Sequence, residues 1–231
     1  MNVIIDYRAS KDTFDALLKM GFNIIKTPKL NSVYDAICGH ADIMFHKIND
    51  NEAVCEPKVY DYFHLKLPEM KIAKGETILN EEYPYDIAYN VCSVSNKIFC
   101  NIPNTEKEIL KRYKAMGYDI IHINQGYAKC SMCVVSDNAI ITADKGICRV
   151  AEKNEVDVLM VDDTDIKLNG FEHGFIGGAT GLISKNKLAI NGNIERHRDC
   201  TKIIDFCNKY NVEVISLNDA EIVDIGSIIT I

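Results

Sequence analysis

The chain has 231 residues, 47% of them hydrophobic and 26% charged, so it can bury a core and is not a disordered segment. Its 33 acidic and 26 basic residues give a net charge of −7, which argues against nonspecific nucleic-acid binding. No apolar run approaches the ~18 residues of a membrane span, and the N-terminus lacks the pattern of a signal peptide. We therefore expect a soluble, cytoplasmic protein with no nucleic-acid or membrane partner, whose ligand is a small molecule or another protein.

Five segments along the chain have the pattern of a β-hairpin: a short apolar run, a polar tip and a second apolar run. Asn and Gly tolerate the positive φ that tight hairpin turns need. The tips are Asn51, Asn96, Asn138, Asn186 and Gly226, which are 45, 42, 48 and 40 residues apart. This near-constant spacing indicates internal repeats.

An amphipathic helix followed by a strand recurs between the hairpins. The helical pattern covers residues 12–20, 106–116, 147–153 and 201–210. The link at 58–80 contains Pro68 and mixed polarity, and we expect it to be irregular. The extended segment 3–6 has no hairpin of its own, so we expect it to complete the sheet of the C-terminal repeat.

One such unit cannot bury both faces of its strands, whereas five units can close a ring. The predicted fold is α/β: a single domain over residues 1–231, shaped as a five-repeat propeller with pseudo-fivefold symmetry. Its helices lie outside, and its hairpin strands surround a central channel. Closure of the ring also protects the sheet edges.

The repeat order resembles the pentein fold, also called the guanidino-group-modifying-enzyme fold. That fold includes arginine and agmatine deiminases, dimethylarginine hydrolases, amidinotransferases and a non-enzymatic ribosome anti-association factor. The stretches 39–44 and 174–181 are similar to those of a bacterial family of this fold that has no known function. The resemblance implies a Cys nucleophile, a His acid and base, and carboxylates that pair with a guanidinium.

His40-Ala41-Asp42 resembles the His-x-Asp motif of these enzymes. Residues two apart in a strand point to the same face, so we expect His40 and Asp42 to face one ligand together. Cys130 follows a glycine-containing lead-in that resembles the family's nucleophile segment. Lys129 beside it is expected to lower the thiol pKa. Cys92, at the matching place in the second repeat, is the competing nucleophile.

The densest glycine cluster of the sequence, residues 174–181, indicates tight turns or close backbone approach. We interpret it as a ligand-binding loop at the channel mouth, with four candidate residues: Glu172, His173, Gly177 and Gly178.

The nine cysteines are odd in number and lie in apolar segments, so we expect reduced thiols and no disulfide framework. Cys130 and Cys133 form a Cys-x-x-Cys pair without a second pair or a His at ligand spacing. The sequence therefore predicts neither a bound metal nor a cofactor.

Two departures from the enzymes bear on function. The last predicted repeat, 219–231, has no Cys, and the His-x-Asp match lies in the first repeat. We expect a non-catalytic protein that binds its ligand through the channel face. The alternative is a Cys-dependent hydrolase or amidinotransferase acting on a guanidino or amidine compound.

Overall fold

A computed structural model describes all 231 residues as a mixed α/β structure of short elements. The strands are β1 (Asn2–Ile5), β2 (Asn23–Lys26), β3 (Phe45–Lys47), β4 (Glu52–Cys55), β5 (Lys71–Lys74), β6 (Cys92–Val94), β7 (Lys97–Cys100), β8 (Asp119–His122), β9 (Cys133–Ser136), β10 (Ala139–Thr142), β11 (Asp157–Met160), β12 (Ile166–Lys167), β13 (Thr180–Ser184), β14 (Lys187–Ile190), β15 (Glu213–Ser216), β16 (Ile222–Val223) and β17 (Ile229–Thr230). The α-helices are α1 (Lys11–Lys19), α2 (Ala41–Met44), α3 (Tyr60–Lys66), α4 (Lys107–Ala115), α5 (Ala128–Ser131), α6 (Lys145–Lys153) and α7 (Cys200–Lys209).

Five three-stranded sheets share one topology. In each, a central strand pairs antiparallel with the strand on one side and parallel with the strand on the other. The sheets are β17-β1-β2, β3-β4-β5, β6-β7-β8, β9-β10-β11 and β13-β14-β15. A sixth sheet has two parallel strands, β12 and β16. The hairpins predicted at Asn51, Asn96, Asn138 and Asn186 are present.

The predicted fifth hairpin, at Gly226, is wrong. β16 pairs with β12, and β17 pairs antiparallel with β1, where Val3 faces Thr230. The prediction that segment 3–6 joins the C-terminal strand is thereby confirmed. The reason is burial: Ile225 and Ile228 belong to one apolar cluster with Val3, so the long-range pairing removes more apolar surface from water than a local turn could.

A helix connects the central strand of each sheet to its parallel neighbour, because parallel strands need such a crossover. α1, α4, α6 and α7 match the predicted helices within two residues at each end. The prediction that the link at 58–80 is irregular is wrong. This link contains helix α3 followed by strand β5, the same helix–strand order as in the other repeats. Pro68 lies just beyond α3. A proline disfavours the helical conformation of the residue before it, so Pro68 helps to end α3 and does not interrupt it.

Single-turn helices precede two of the hairpins and set the geometry of the site. α2 begins directly after His40, and α5 contains Cys130. His40 and Asp42 therefore do not lie on a strand, and the expectation that they share one strand face is wrong. The helical turn places both side chains near each other but in the walls of two different cavities. None of the helices combines the length and apolar character needed to span a bilayer.

Candidate active site

Five chain segments, each just before the first strand of a three-stranded sheet, meet at one place. They are connected by buried hydrogen bonds and close backbone contacts rather than by sequence proximity. The residues that meet are His40 and Asp42 before β3, Asn90 before β6, Cys130 before β9, Gly177 and Gly178 before β13, and Asp224 and Ser227 before β17. The topology thus collects side chains that are up to 187 residues apart.

The Cys130 thiol is at the centre of this cluster and is only 2% exposed. Its Sγ donates a hydrogen bond to Asp42 Oδ2 (3.1 Å). Burial raises the pKa of the Cys130 thiol well above its usual range, and the charges of Asp42 and Asp224 raise it further. The expected lowering of this pKa by Lys129 is wrong, because burial and two carboxylates dominate. The resting thiol is protonated.

Asn90 holds the Cys130 segment in place and was missed by the sequence analysis. Its Oδ1 accepts hydrogen bonds from the backbone N–H groups of Lys129 (2.7 Å) and Cys130 (3.3 Å). Its Nδ2 donates to Cys130 Sγ (3.2 Å) and to the carbonyl of Asp42 (3.3 Å). The only signal in the sequence is its place before a hairpin strand, equivalent to that of Asp42.

The Asp42 carboxylate is fixed from the C-terminal segment. Its Oδ2 accepts a hydrogen bond from Ser227 Oγ (2.6 Å) in addition to the one from Cys130. Lys129 Nζ in turn donates to Ser227 Oγ (3.1 Å). Asp42 is 2% exposed, and its Oδ1 has no hydrogen-bond partner in the protein.

His40 is buried, and neither of its ring nitrogens has a hydrogen-bond partner in the protein. Its Nδ1 lies 3.9 Å from Asp224 Oδ1. Gly226 packs directly on the His40 side chain, at a φ of +65°, and a Cβ there would overlap the His40 Cβ. The imidazole is therefore held by packing, with both nitrogens left for a ligand or a proton.

Asp224 is the second buried carboxylate of the site, and no sequence motif marks it as a site residue. The backbone N–H groups of Phe175 (2.9 Å) and Gly226 (3.0 Å) donate to it. Burial raises the Asp224 pKa, and the charge of Asp42 adds to the effect, whereas His40 opposes it. Gly178 explains part of the glycine cluster, since a Cβ at that position would overlap the Asp224 carboxylate.

A cavity of about 310 Å³ opens onto the Cys130 thiol, with His40 and Asp224 also in its wall. Four aromatic residues and two polar residues complete much of the lining: Tyr34, Tyr127, Phe171, Phe175, Glu172 and His173. Tyr127 donates a hydrogen bond to Asp86 (2.5 Å), and its hydroxyl also contacts that of Tyr34 (3.0 Å). We call this space the aromatic cavity.

The predicted site residues are brought together in different ways. Four of them line the aromatic cavity: Cys130, His40, Glu172 and His173. Asp42 instead lines a separate cavity of about 310 Å³, together with Lys129, and reaches the thiol from that side. Gly177 and Gly178 contact the site through their backbones, as the Gly177 carbonyl lies 3.0 Å from Ser227 Oγ and the Gly178 N–H donates to the Cys130 carbonyl (2.8 Å).

The competing thiols lie elsewhere. Cys92 is in β6 inside an apolar cluster, and burial raises its pKa to about 12. Cys133 is in β9, in a different apolar cluster, and burial raises its pKa to about 11. Neither lines the aromatic cavity, so Cys130 is the thiol that a ligand in this cavity would meet.

Structures of guanidino-modifying enzymes have the same fold. The C. jejuni agmatine deiminase superposes with a TM-score of 0.58 at 10% identity, covering 94% of this chain and 87% of that one. SxtG, an amidinotransferase of saxitoxin biosynthesis from Microseira wollei, gives 0.56 at 11% identity, over 93% and 87% of the two chains. DDAH from Pseudomonas aeruginosa, solved as a Cys-to-Ser mutant with citrulline, gives 0.55 at 7% identity, over 93% and 91%.

These likenesses establish the fold class alone: the chain has the pentein fold. Residues 4–229 match a family of unknown function, DUF6873, and the chain belongs to that family. No curated protein matches it in sequence.

Proposed function

We propose that the aromatic cavity binds a small guanidino or amidine cation and that Cys130 reacts with the central carbon of that ligand. One observation carries this proposal. Donor atoms of Cys130, His40 and Asp42 lie within 4.8 Å of one another, and the thiol and the imidazole face the aromatic cavity. A nucleophile, an acid–base group and a carboxylate are the groups that such a reaction needs.

The charge of the site favours a cation. Asp42 and Asp224 are both buried beside the thiol, and Glu172 lies at the cavity wall. A guanidinium is planar and presents several N–H donors that match carboxylate oxygens. Tyr34 and Phe171, whose ring centroids are 5.6 Å apart, both lie in the cavity wall, and aromatic rings attract planar cations.

The same carboxylates provide a way to activate the thiol only when a ligand is present. They hold the Cys130 pKa above its usual range in the free protein. A bound cation offsets their charge and so lowers this pKa, which favours the thiolate beside the ligand. A raised pKa of the Cys130 thiol in the free protein is therefore compatible with a reactive Cys130 thiolate in the ligand complex.

The reaction can be written with this chain's own groups. Cys130 transfers its proton to His40 and its sulfur attacks the amidine carbon, forming a C–S bond while the C=N electron pair moves to nitrogen. His40 returns the proton to the departing amine as the C–N bond breaks. Water then adds to the carbon, giving one proton to His40, and the C–S bond breaks as His40 passes that proton to the Cys130 sulfur, which completes a hydrolysis. An amine in place of water gives an amidino transfer.

The second candidate function is ligand binding without catalysis. It is favoured by the 2% exposure of Cys130 and by its raised pKa, which together describe an inert thiol. In that case the carboxylates and aromatic rings recognise a cation and the thiol only packs against it. Both candidates use the same cavity and differ in the behaviour of Cys130.

We further propose that residues 1–231 form one domain in which the five sheets close a ring with pseudo-fivefold symmetry. Two observations support this proposal. The five sheets share one topology, and the five chain segments that precede their first strands meet at the candidate site. Such a meeting is expected at the axis of a ring and not in an open array. Scattering in solution that required two separated bodies would contradict it.

Alkylation by chloroacetamidine, which resembles the cation, tests the proposed function against its uncharged counterpart chloroacetamide. With metal-free protein, we expect chloroacetamidine to modify Cys130 faster by about tenfold or more, measured by peptide mass spectrometry. Cys130→Ser should abolish this fast modification, whereas Cys92→Ser should retain it. Asp224→Asn should reduce the ratio of the two Cys130 modification rates, chloroacetamidine over chloroacetamide. Equal, slow modification of several cysteines by both reagents would show that Cys130 is not an activated nucleophile.

A further inference from the structure

We propose that Cys130, His40 and Asp42 form a binding site for a thiophilic divalent cation, Zn²⁺, at the inner end of the aromatic cavity. One thiolate sulfur, one imidazole nitrogen and one carboxylate oxygen come from three residues whose donor atoms lie within 4.8 Å of one another. A fourth position would face the cavity and be filled by water or a ligand. Three protein ligands with one open position are typical of exchangeable zinc sites.

The distances are close to what coordination requires. Zn²⁺ binds sulfur, nitrogen and oxygen at about 2.0–2.3 Å, so tetrahedral ligand atoms are about 3.3–3.8 Å apart. Cys130 Sγ and Asp42 Oδ2 are 3.1 Å apart. The three donor atoms lie within 4.8 Å of one another, so closing to tetrahedral spacing requires shifts of about 1 Å.

The hydrogen bonding of these side chains also points to a ligand. Both His40 ring nitrogens and Asp42 Oδ1 are buried without a partner in the protein. His40 is 1% exposed and Asp42 is 2% exposed. Buried polar atoms are normally paired, so three unpaired atoms in one cluster need an explanation. Coordination of one imidazole nitrogen would account for one of them.

Neighbouring residues already hold two of the ligands. Asn90 Nδ2 donates to Cys130 Sγ (3.2 Å), and Ser227 Oγ donates to Asp42 Oδ2 (2.6 Å). Asp224 Oδ1, 3.9 Å from His40 Nδ1, is placed to orient the imidazole. Hydrogen bonds of this kind fix the direction of metal ligands and tune their basicity.

The donor set selects the metal. A thiolate and an imidazole suit Zn²⁺, whereas Mg²⁺ and Ca²⁺ prefer oxygen ligands throughout. A thiolate and a carboxylate also neutralise the two charges of the ion. The Cys-x-x-Cys pair is not the basis of the site, because Cys133 packs in an apolar cluster and is not in the group that converges.

The metal site does not depend on the proposed reaction. A bound Zn²⁺ would hold Cys130 as a metal-bound thiolate and exclude a guanidino or amidine cation from the inner cavity. In a catalytic protein, zinc is therefore an inhibitor. In a non-catalytic one, zinc or a zinc-bound anion is itself a ligand of the cavity.

Titration with Co²⁺, which substitutes for Zn²⁺ and reports thiolate ligation by a near-ultraviolet charge-transfer band, tests the proposal. The full chain, reduced and freed of metal with a chelator, should develop the band with one equivalent of Co²⁺, and Zn²⁺ should abolish it. Cys130→Ser should lose the band, and Cys133→Ser should keep it. His40→Gln and Asp42→Asn should weaken Co²⁺ affinity by about tenfold or more. No band, or a band that persists in Cys130→Ser, overturns the proposal.

A second measurement on the unmodified chain decides the matter if a variant does not fold. One equivalent of Zn²⁺ should protect Cys130 from alkylation by iodoacetamide, while the modification of the partly buried helical cysteines Cys148 and Cys200 stays unchanged. Unaltered Cys130 alkylation contradicts the metal site. The result is distinct from that of the metal-free alkylation above, which tests the proposed reaction alone.

Discussion

Ser227 donates a hydrogen bond of 2.6 Å to Asp42 across 185 residues of sequence. The acceptor is the same Asp42 oxygen that receives the Cys130 thiol. Ser227 in the C-terminal segment thus helps to orient the Asp42 carboxylate toward the Cys130 thiol. Loss of this one hydroxyl should be felt both in stability and in the geometry around the thiol.

We expect Ser227→Ala to lower the free energy of unfolding by about 1.5–3 kcal/mol, the usual range for a hydrogen bond to a charged group. Ser227 has a φ of +69°, but alanine also has a Cβ, so the backbone strain is unchanged and only the hydroxyl is removed. Urea denaturation measures the effect. Ser184→Ala, on an exposed hairpin end, is the matched control and should change stability by less than about 0.5 kcal/mol. Equal losses in the two variants would show that the hydrogen bond adds nothing.

Asp163 predicts a pH dependence of stability. It is 5% exposed, and burial raises its pKa from 3.8 to about 7. The folded protein then keeps a proton that the unfolded chain releases, so this group's contribution to stability falls as pH rises from about 4 to about 7 and is constant above. The slope is at most about 1.4 kcal/mol per pH unit.

Asp163→Asn should therefore have a higher free energy of unfolding than the unmodified protein at pH 8 and nearly the same value at pH 4. Urea denaturation at the two pH values measures both differences. Asp165 supplies a control of opposite sign, because hydrogen bonds from Arg198 lower its pKa. Its contribution is present above the unfolded pKa and is lost as pH falls. Asp165→Asn should accordingly lose stability at pH 8. A pH-independent difference for Asp163→Asn would contradict the assignment.

Asn90→Asp tests how the thiol is tuned. The substitution keeps the oxygen that accepts from the Lys129 and Cys130 backbone but replaces the NH₂ that donates to Cys130 Sγ. An added negative charge and a lost donor both disfavour the thiolate. We expect alkylation of Cys130 by the uncharged reagent chloroacetamide to slow by about tenfold, which corresponds to one pKa unit. Asn186→Asp, at an exposed hairpin tip, should leave the rate unchanged; an unchanged rate in Asn90→Asp as well would exclude this role.

Tyr127→Phe tests the aromatic wall. The Tyr127 hydroxyl donates to Asp86 Oδ2 (2.5 Å), while Asp86 Oδ1 has no partner in the protein. Removing the hydroxyl leaves a buried carboxyl group without this donor, and burial already raises the Asp86 pKa. We expect a loss of about 1–3 kcal/mol in urea denaturation. Tyr85→Phe, 56% exposed, is the control and should be near neutral. Comparable effects in the two variants would mean that the pair does not stabilise the wall.

Sequence patterns are sufficient to locate the helices and hairpins of this protein. Periodicity and stop signals located α1, α4, α6 and α7, because an amphipathic helix needs only a repeating apolar face and a turn residue at its end. Asn-containing tips located four hairpins for the same local reason. His40, Cys130, Glu172 and His173 were also identified as site candidates, and all four line one cavity.

The pairing of distant segments that completes these elements depends on packing between parts of the chain far apart in sequence. The last strand pairs with the first instead of folding back at Gly226, since burial of apolar side chains along β1 outweighs a local turn. Asn90, Asp224 and Ser227 carry no motif, yet Asn90 and Ser227 hydrogen-bond to the thiol and the Asp42 carboxylate, and Asp224 lies 3.9 Å from the His40 imidazole. The protonated state of Cys130 likewise follows from burial between two carboxylates that are far from it in sequence. Local patterns report propensity and amphipathicity, whereas the chemistry of this site arises where five separate segments converge.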